Sequence, residues 1–197
     1  MRLTVDIRKR LGNFQLQAAF TAEAGAPLAL LGASGCGKGV PLRCVAGIMR
    51  PDEGHIELDG TVLYDSAGHI DLPPQKRQVG YLFQQYALFP NMTVRQNIAV
   101  AVRDKSRREA VTREKLRQFR LEEVAGQKPR QLSGGQQQRA ALARALAMKP
   151  KVMLFDEPTS AHDPAIVREG LAALKSLANE GKPRAIVTHE LVYARAA

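Results

Sequence analysis

Long apolar runs are missing from this 197-residue chain, and without a stretch of 18 consecutive hydrophobic residues it cannot cross a bilayer as a helix. Its opening residues, Met1-Arg2-Leu3-Thr4-Val5-Asp6, lack the apolar core of a signal peptide, so the cytoplasm is the default compartment. Cysteine is scarce too. Cys36 and Cys44 form neither a disulfide framework nor a metal-ligand pattern, and both read as reduced fillers. Acidic residues number 19 against 29 Lys and Arg, a formal charge of +10 that raises the question of nucleic acid. The bases are densest from Arg103 to Arg120, however, where Phe119 is the one aromatic, and aromatics total only 5%. Single-strand binders interleave bases with stacking rings, so this stretch reads as a solvated helix face and no nucleic-acid partner is expected.

What is present is a strand-and-helix alternation on the scale of one domain, 1–197. Leu3–Ile7 alternates as a half-buried strand, and Leu28–Leu31 is an apolar run ending at Gly32. Residues 54–70 predict strand-turn-strand, with Asp59-Gly60 and Ala67-Gly68 as turns and Pro73-Pro74 closing the unit. Val79–Phe83, Lys151–Phe155 and Ala185–Val187 predict further strands, and Pro164–Asn179 a helix. Between about Thr93 and Met148 the pattern turns helical and charged. The expected fold is α/β: a mostly parallel sheet core, an N-terminal antiparallel β subdomain, and a helical subdomain over about 86–148 inserted into the core.

Three motifs carry chemistry. Gly32-Ala33-Ser34-Gly35-Cys36-Gly37-Lys38 follows an apolar strand and precedes a helix expected over Gly39–Ile48, the context of a phosphate-binding loop. Glycines there let several N–H groups converge on one anion beside a helix N-terminus, and Lys38 adds a cation for the β and γ phosphates. The nucleotide-binding stretch runs on through Gly39 to Val40. The pattern calls for Ser or Thr at position 39, whose hydroxyl is a Mg²⁺ ligand; glycine has no oxygen, so a water must fill the place and hydrolysis is expected to be impaired. Pro41 falls in the first helical turn, where a missing N–H is tolerated. Second, the Lys151–Phe155 strand delivers Asp156, placed to hold Mg²⁺ through water, and Glu157, placed as general base toward the attacking water. Third, Leu132-Ser133-Gly134-Gly135-Gln136 opens a helix expected over Gln136–Met148, a ready anion site.

With that pentapeptide between a phosphate loop and an Asp-Glu strand, the chain resembles the ATP-binding subunits of ABC transporters, a P-loop NTPase family. The resemblance covers essentially the whole chain and implies the remaining roles. Gln84 matches the glutamine that senses Mg²⁺ and the attacking water and touches the permease. Ser160-Ala161-His162-Asp163 resembles the loop after the Asp-Glu strand, with His162 where leucine is usual. His189 matches the histidine that contacts the γ-phosphate, and Phe14 is the candidate for stacking on adenine. In the family Ser133, Gly134, Gly135 and Gln136 face the γ-phosphate held by the other subunit. The resemblance therefore implies ATP and Mg²⁺ as ligands and a second ATPase subunit in a head-to-tail dimer. It also implies transmembrane permease subunits, an extracytoplasmic solute-binding protein acting through them, and a place on the cytoplasmic face of the membrane.

Two wordings compete over the cargo. Lys9–Phe14, Pro73–Arg77 and Tyr86–Pro90 resemble importers of oxyanions such as molybdate and sulfate, whereas Asp156–Ser160 and Val187–Leu191 are more like polar amino-acid importers. The chain stops eight residues after His189, where the family normally continues, and with Gly39 this suggests a truncated or degenerate copy. Three readings stay open at this point: an importer ATPase, a nucleotide-binding module with impaired hydrolysis, and a soluble ABC ATPase acting on DNA or ribosomes.

Overall fold

The computed structural model describes residues 2–23, 27–30 and 37–156, and the backbone of 184–187. Two sheets organise them. The first is antiparallel, in the order β2 (Phe14–Glu23), β1 (Arg2–Leu11), β4 (Glu53–Leu58), β5 (Thr61–Asp65), β6 (Ile70–Asp71). The second is parallel, in the order β3 (Pro27–Leu30), β9 (Arg184–Val187), β8 (Val152–Asp156), β7 (Val79–Leu82). The antiparallel subdomain and the parallel core expected from the sequence are both there.

In β1, Leu3, Val5 and Ile7 are buried at period two, as the alternation predicts. The strand nevertheless runs four residues further, to Leu11, because β2 pairs with it from Arg2↔Glu23 to Leu11↔Phe14. Polar Lys9 and Arg10 are held by backbone pairing and by Asp52, which accepts from Lys9 Nζ and Arg10 N at 2.7 Å each. Asp59 and Gly60 both take positive φ (53° and 78°) between Leu58 and Thr61, the mirror-image two-residue turn that matches strand twist.

The inserted helices are α2 (Val94–Ala99), α3 (Arg108–Gln118) and α4 (Gly134–Ala147), packed on one apolar cluster that includes Ile98, Leu116, Phe119 and Leu142. A second cluster joins the antiparallel sheet to α1 (Gly39–Ala46) through Leu3, Ile7, Leu42, Val45 and Ile56. Strand β8 is buried along its whole length, and its alternation splits between the two: Met153 and Phe155 enter the helical cluster, Val152 and Leu154 the other. Both cores therefore grip the strand that ends in Asp156.

Two helix boundaries differ from expectation. Helix α1 stops at Ala46 rather than Ile48, because Gly47 adopts φ 76° and closes the helix. The buried Arg77 guanidinium reinforces that stop, donating to Cys44 O at 2.6 Å and Val45 O at 3.1 Å while Asp71 balances its charge. Helix α4 starts at Gly134, two residues early, because Ser133 and Gln136 form a reciprocal cap. Cys44 is buried, which pushes its thiol up to about 11 and fits an inert filler; Cys36 lies outside the described residues. The helix expected at 164–179 also lies outside them. Most charges of α3 are exposed and partly paired, as in Arg95–Glu109 and Arg113–Glu109.

Candidate nucleotide site

Parallel register places the site. Leu30 pairs with Val187, Val187 with Asp156, and Leu82 with Phe155, so β3, β9, β8 and β7 all end at one edge of the sheet. Ligands of open parallel sheets bind at that edge. The phosphate loop follows β3, Glu157 follows β8 and His189 follows β9, while Gln84 sits in an exposed turn just past β7. Gly32, Ala33, Ser34, Gly35, Cys36, Glu157, His162 and His189 themselves lie outside the described residues.

The end of the phosphate loop is described. Gly37 has φ 82°, a conformation glycine adopts without strain. A β-carbon built there would lie 3.5 Å from Phe14 Cε1 and 3.8 Å from Leu16 Cδ1. The structure thus places Phe14, 48% exposed and expected from the family resemblance to stack on adenine, beside the end of the loop, together with Leu16, which the sequence did not single out. Lys38 follows as the residue before α1 and makes no side-chain cap, and the Val40 N–H bonds back to Gly37 O at 2.9 Å, so the backbone of the loop closes this helix start. Val40 is buried in the first turn and Pro41 is the third helical residue, a place without an intrahelical N–H bond to lose.

Asp156 lies against this helix start. It is 8% exposed, and its Oδ2 accepts a 2.7 Å hydrogen bond from the Tyr81 hydroxyl and lies 3.5 Å from Arg43 Nη2. Burial, then the bond to Asp156, pushes the Tyr81 hydroxyl pKa upward. Hydrogen bonding to Tyr81 and attraction to Asp156 hold Arg43 above its usual value, against some desolvation. The other oxygen, Oδ1, would be 2.7 Å from a β-carbon at Gly39. The missing side chain at 39 is therefore not an open gap, because the carboxylate fills it. A serine there would have to displace Asp156, which the sequence reading could not foresee. For a Mg²⁺ ion, the donor set fits in kind: a hard carboxylate oxygen at the mouth of a phosphate loop, with phosphate and water left to complete the shell.

The loop after Gln84 is fixed from the helical subdomain. Tyr86 and Ala87 take positive φ (59° and 44°), and Arg144 of α4 donates to Tyr86 O at 3.0 Å and Ala87 O at 2.7 Å. Its guanidinium also lies 5.4 Å from the Phe89 ring centroid. At the other end of α4, Ser133 Oγ accepts from Gln136 N at 3.3 Å and Gln136 Oε1 accepts from Ser133 N at 2.8 Å. The Gly134 and Gly135 N–H groups precede the first residue that can bond within the helix, at a start where Ser133 is exposed, Gly134 half-buried and Gly135 buried.

A family model described as ABC transporter matches residues 16–160. The chain belongs to the ABC transporter family. Relatives agree with this placement. The cassette is 40% identical over 192 residues to the molybdenum import ATP-binding protein of Paramagnetospirillum magneticum, covering 96% of this chain and 53% of that protein. It is also 40% identical over 197 residues to the glutamine transport ATP-binding protein of Bacillus subtilis, covering 96% of this chain and 81% of that one. The chain thus spans about half the length of the first relative. Among solved structures, a dimeric ATP-binding cassette in a post-hydrolysis state bound to ADP and Pi matches with a TM-score of 0.81 and 30% identity. That match covers 100% of this chain and 91% of the other.

Proposed function

We propose that this ABC cassette is the ATP-hydrolysing subunit of an importer, taking up an oxyanion such as molybdate or sulfate. The observation that carries the reading is the meeting of Asp156, the α1 N-terminus and Phe14 at the strand-end edge, where a Mg·ATP would lie. Lys38 and the loop N–H groups bind the phosphates, Phe14 and Leu16 flank the base, and Asp156 with Gln84 serve the metal. When bound, Mg²⁺ neutralises charge on the β and γ phosphates. Glu157 takes the proton of the attacking water and His189 contacts the γ-phosphate. A second copy supplies Ser133, Gly134, Gly135 and Gln136 across a head-to-tail dimer.

Permease subunits and a place on the cytoplasmic membrane face follow from the same reading. A hollow of about 610 Å³ beside the Gln84 loop is lined by Ile48, Phe89, Val100 and Met148, four of the exposed large hydrophobics. Arg103, Arg144 and Lys149 line it as well, which suits a short amphipathic helix with acidic ends from a membrane subunit. Among the described residues no helix is long and apolar enough to cross a membrane, so transport needs such a partner.

The polar amino-acid reading of the cargo is favoured by the glutamine-transport relative, and uptake assays with the cognate permease would separate the two. A second functional reading, binding with impaired hydrolysis, is favoured by Gly39, which offers no hydroxyl to the metal. Mg²⁺-dependent ATP hydrolysis by the purified chain tests both. Turnover that Glu157→Gln abolishes supports the engine; equal rates in parent and Glu157→Gln support the binding module.

A further inference from the structure

Among the described residues, Asp156 is held through one oxygen. Tyr81 and Arg43 both engage Oδ2, while Oδ1 lies nearer the volume that a side chain at position 39 would occupy, 2.7 Å from a β-carbon there against 3.1 Å for Oδ2. Tyr81 stands on β7 and Arg43 one turn into α1, so two elements fix one carboxylate oxygen and, among the described residues, none engages the other. The Tyr81 hydroxyl is half-buried behind the strand end, and its proton has the carboxylate as acceptor at 2.7 Å.

We infer that Tyr81 and Arg43 are positioning residues that turn Asp156 into the niche left by Gly39. Asp156 Oδ1 thereby takes the place of the absent hydroxyl as the protein's oxygen toward Mg²⁺. This rests on the nucleotide-binding reading above. It makes Gly39 and Tyr81 a matched pair: with no hydroxyl at 39, the carboxylate must come closer, and something must hold it there. A serine at 39 alone crowds Oδ1, whereas a serine at 39 with Tyr81 removed restores a hydroxyl donor to Asp156 and an oxygen to the metal.

The test is ATP affinity of the full chain, measured calorimetrically in Mg²⁺ and in EDTA, with melting temperature as the folding control. The parent should bind ATP more tightly in Mg²⁺. Tyr81→Phe should reduce that Mg²⁺-dependent gain by roughly tenfold to a hundredfold, the scale of one hydrogen bond to a charged group, and leave the EDTA affinity unchanged. Arg43→Gln, at a more exposed site, should reduce it less, and Gly39→Ser in the Tyr81→Phe background should recover it. A Tyr81→Phe protein with the parental Mg²⁺ gain would overturn the inference, as would equal losses in Mg²⁺ and EDTA. ATP binding by the parent with no effect of Tyr81 would leave the nucleotide-binding reading standing, whereas no ATP binding in either buffer would overturn both.

Discussion

Two helix starts are proposed to meet phosphate, and they are built differently. Helix α1 begins without a side-chain cap, so its N–H groups depend on the loop and whatever that loop binds. Helix α4 begins with Ser133 and Gln136 capping each other, so its cap is complete without a ligand. The first start sits at the sheet edge, beside a buried carboxylate. The second opens at exposed Ser133, with Gly134 half-buried and Gly135 buried behind it. An uncapped start gains most from a resident anion, and a capped start can wait for an anion brought by another molecule. That contrast is what an ATP gripped between two copies would require.

The far end of α1 gives the largest expected effect on stability. Arg77→Met would leave the carbonyls of Cys44, Val45 and Leu72 without their guanidinium, and Asp71 with only the exposed Arg50 at 3.6 Å. The loss should be about 3 kcal/mol, seen as a fall in Tm of roughly 6–12 °C for a domain of this size. Nucleotide affinity corrected for folding should change little, since Arg77 acts at the opposite end from Gly39.

A paired experiment separates cap from site at α4. Thr93 and Gln96 form the same reciprocal cap on α2 as Ser133 and Gln136 on α4. Ser133→Ala and Thr93→Ala should each cost about 1 kcal/mol in denaturant unfolding. Only Ser133→Ala should also lower ATP turnover, because α2 has no phosphate to meet. Equal turnover in the two variants would reduce the α4 start to an ordinary cap.

The smallest effect is on pH. His55 Nδ1 lies 2.8 Å from Asp65 Oδ2 and its Nε2 3.5 Å from Glu57, which raises its pKa from 6.5, the Asp65 bond being the larger cause. A raised pKa stabilises the fold below the unfolded value and loses that contribution as pH climbs through the folded value. Melting should therefore shift slightly downward from pH 6 to pH 8, and His55→Gln should flatten that shift. The pair is part-exposed, so the change should be small.

Much of this was legible in the sequence. The apolar runs at 28–31, 79–83 and 151–155 each became a strand of the parallel sheet, and β8, buried along its whole length, is the one whose burial on both faces requires an apolar run. The signature pentapeptide marked a helix start, but its Ser-x-x-Gln cap, which sets that start at Gly134 rather than Gln136, was not singled out. What could not be read were partners distant along the chain. Tyr81 and Asp156 are 75 residues apart, and Arg77 and Cys44 are 33 apart. Nothing local to either member marks such a pairing, which exists only once β7, β8 and α1 are stacked. Gly39 shows the same limit: the missing hydroxyl was plain, but its replacement by a carboxylate from β8 needed the fold.

Closure of two copies on ATP, the α1 start of one against the α4 start of the other, would show first in the molar mass in solution. The Glu157→Gln chain, which should hold ATP without hydrolysing it, would be run with and without Mg·ATP and compared with the same chain carrying Gly135→Asp. The account predicts a monomer that becomes a dimer with Mg·ATP, and a Gly135→Asp chain that binds ATP but stays monomeric. A chain that remains monomeric at saturating Mg·ATP, or a Gly135→Asp chain that dimerises equally well, would contradict it.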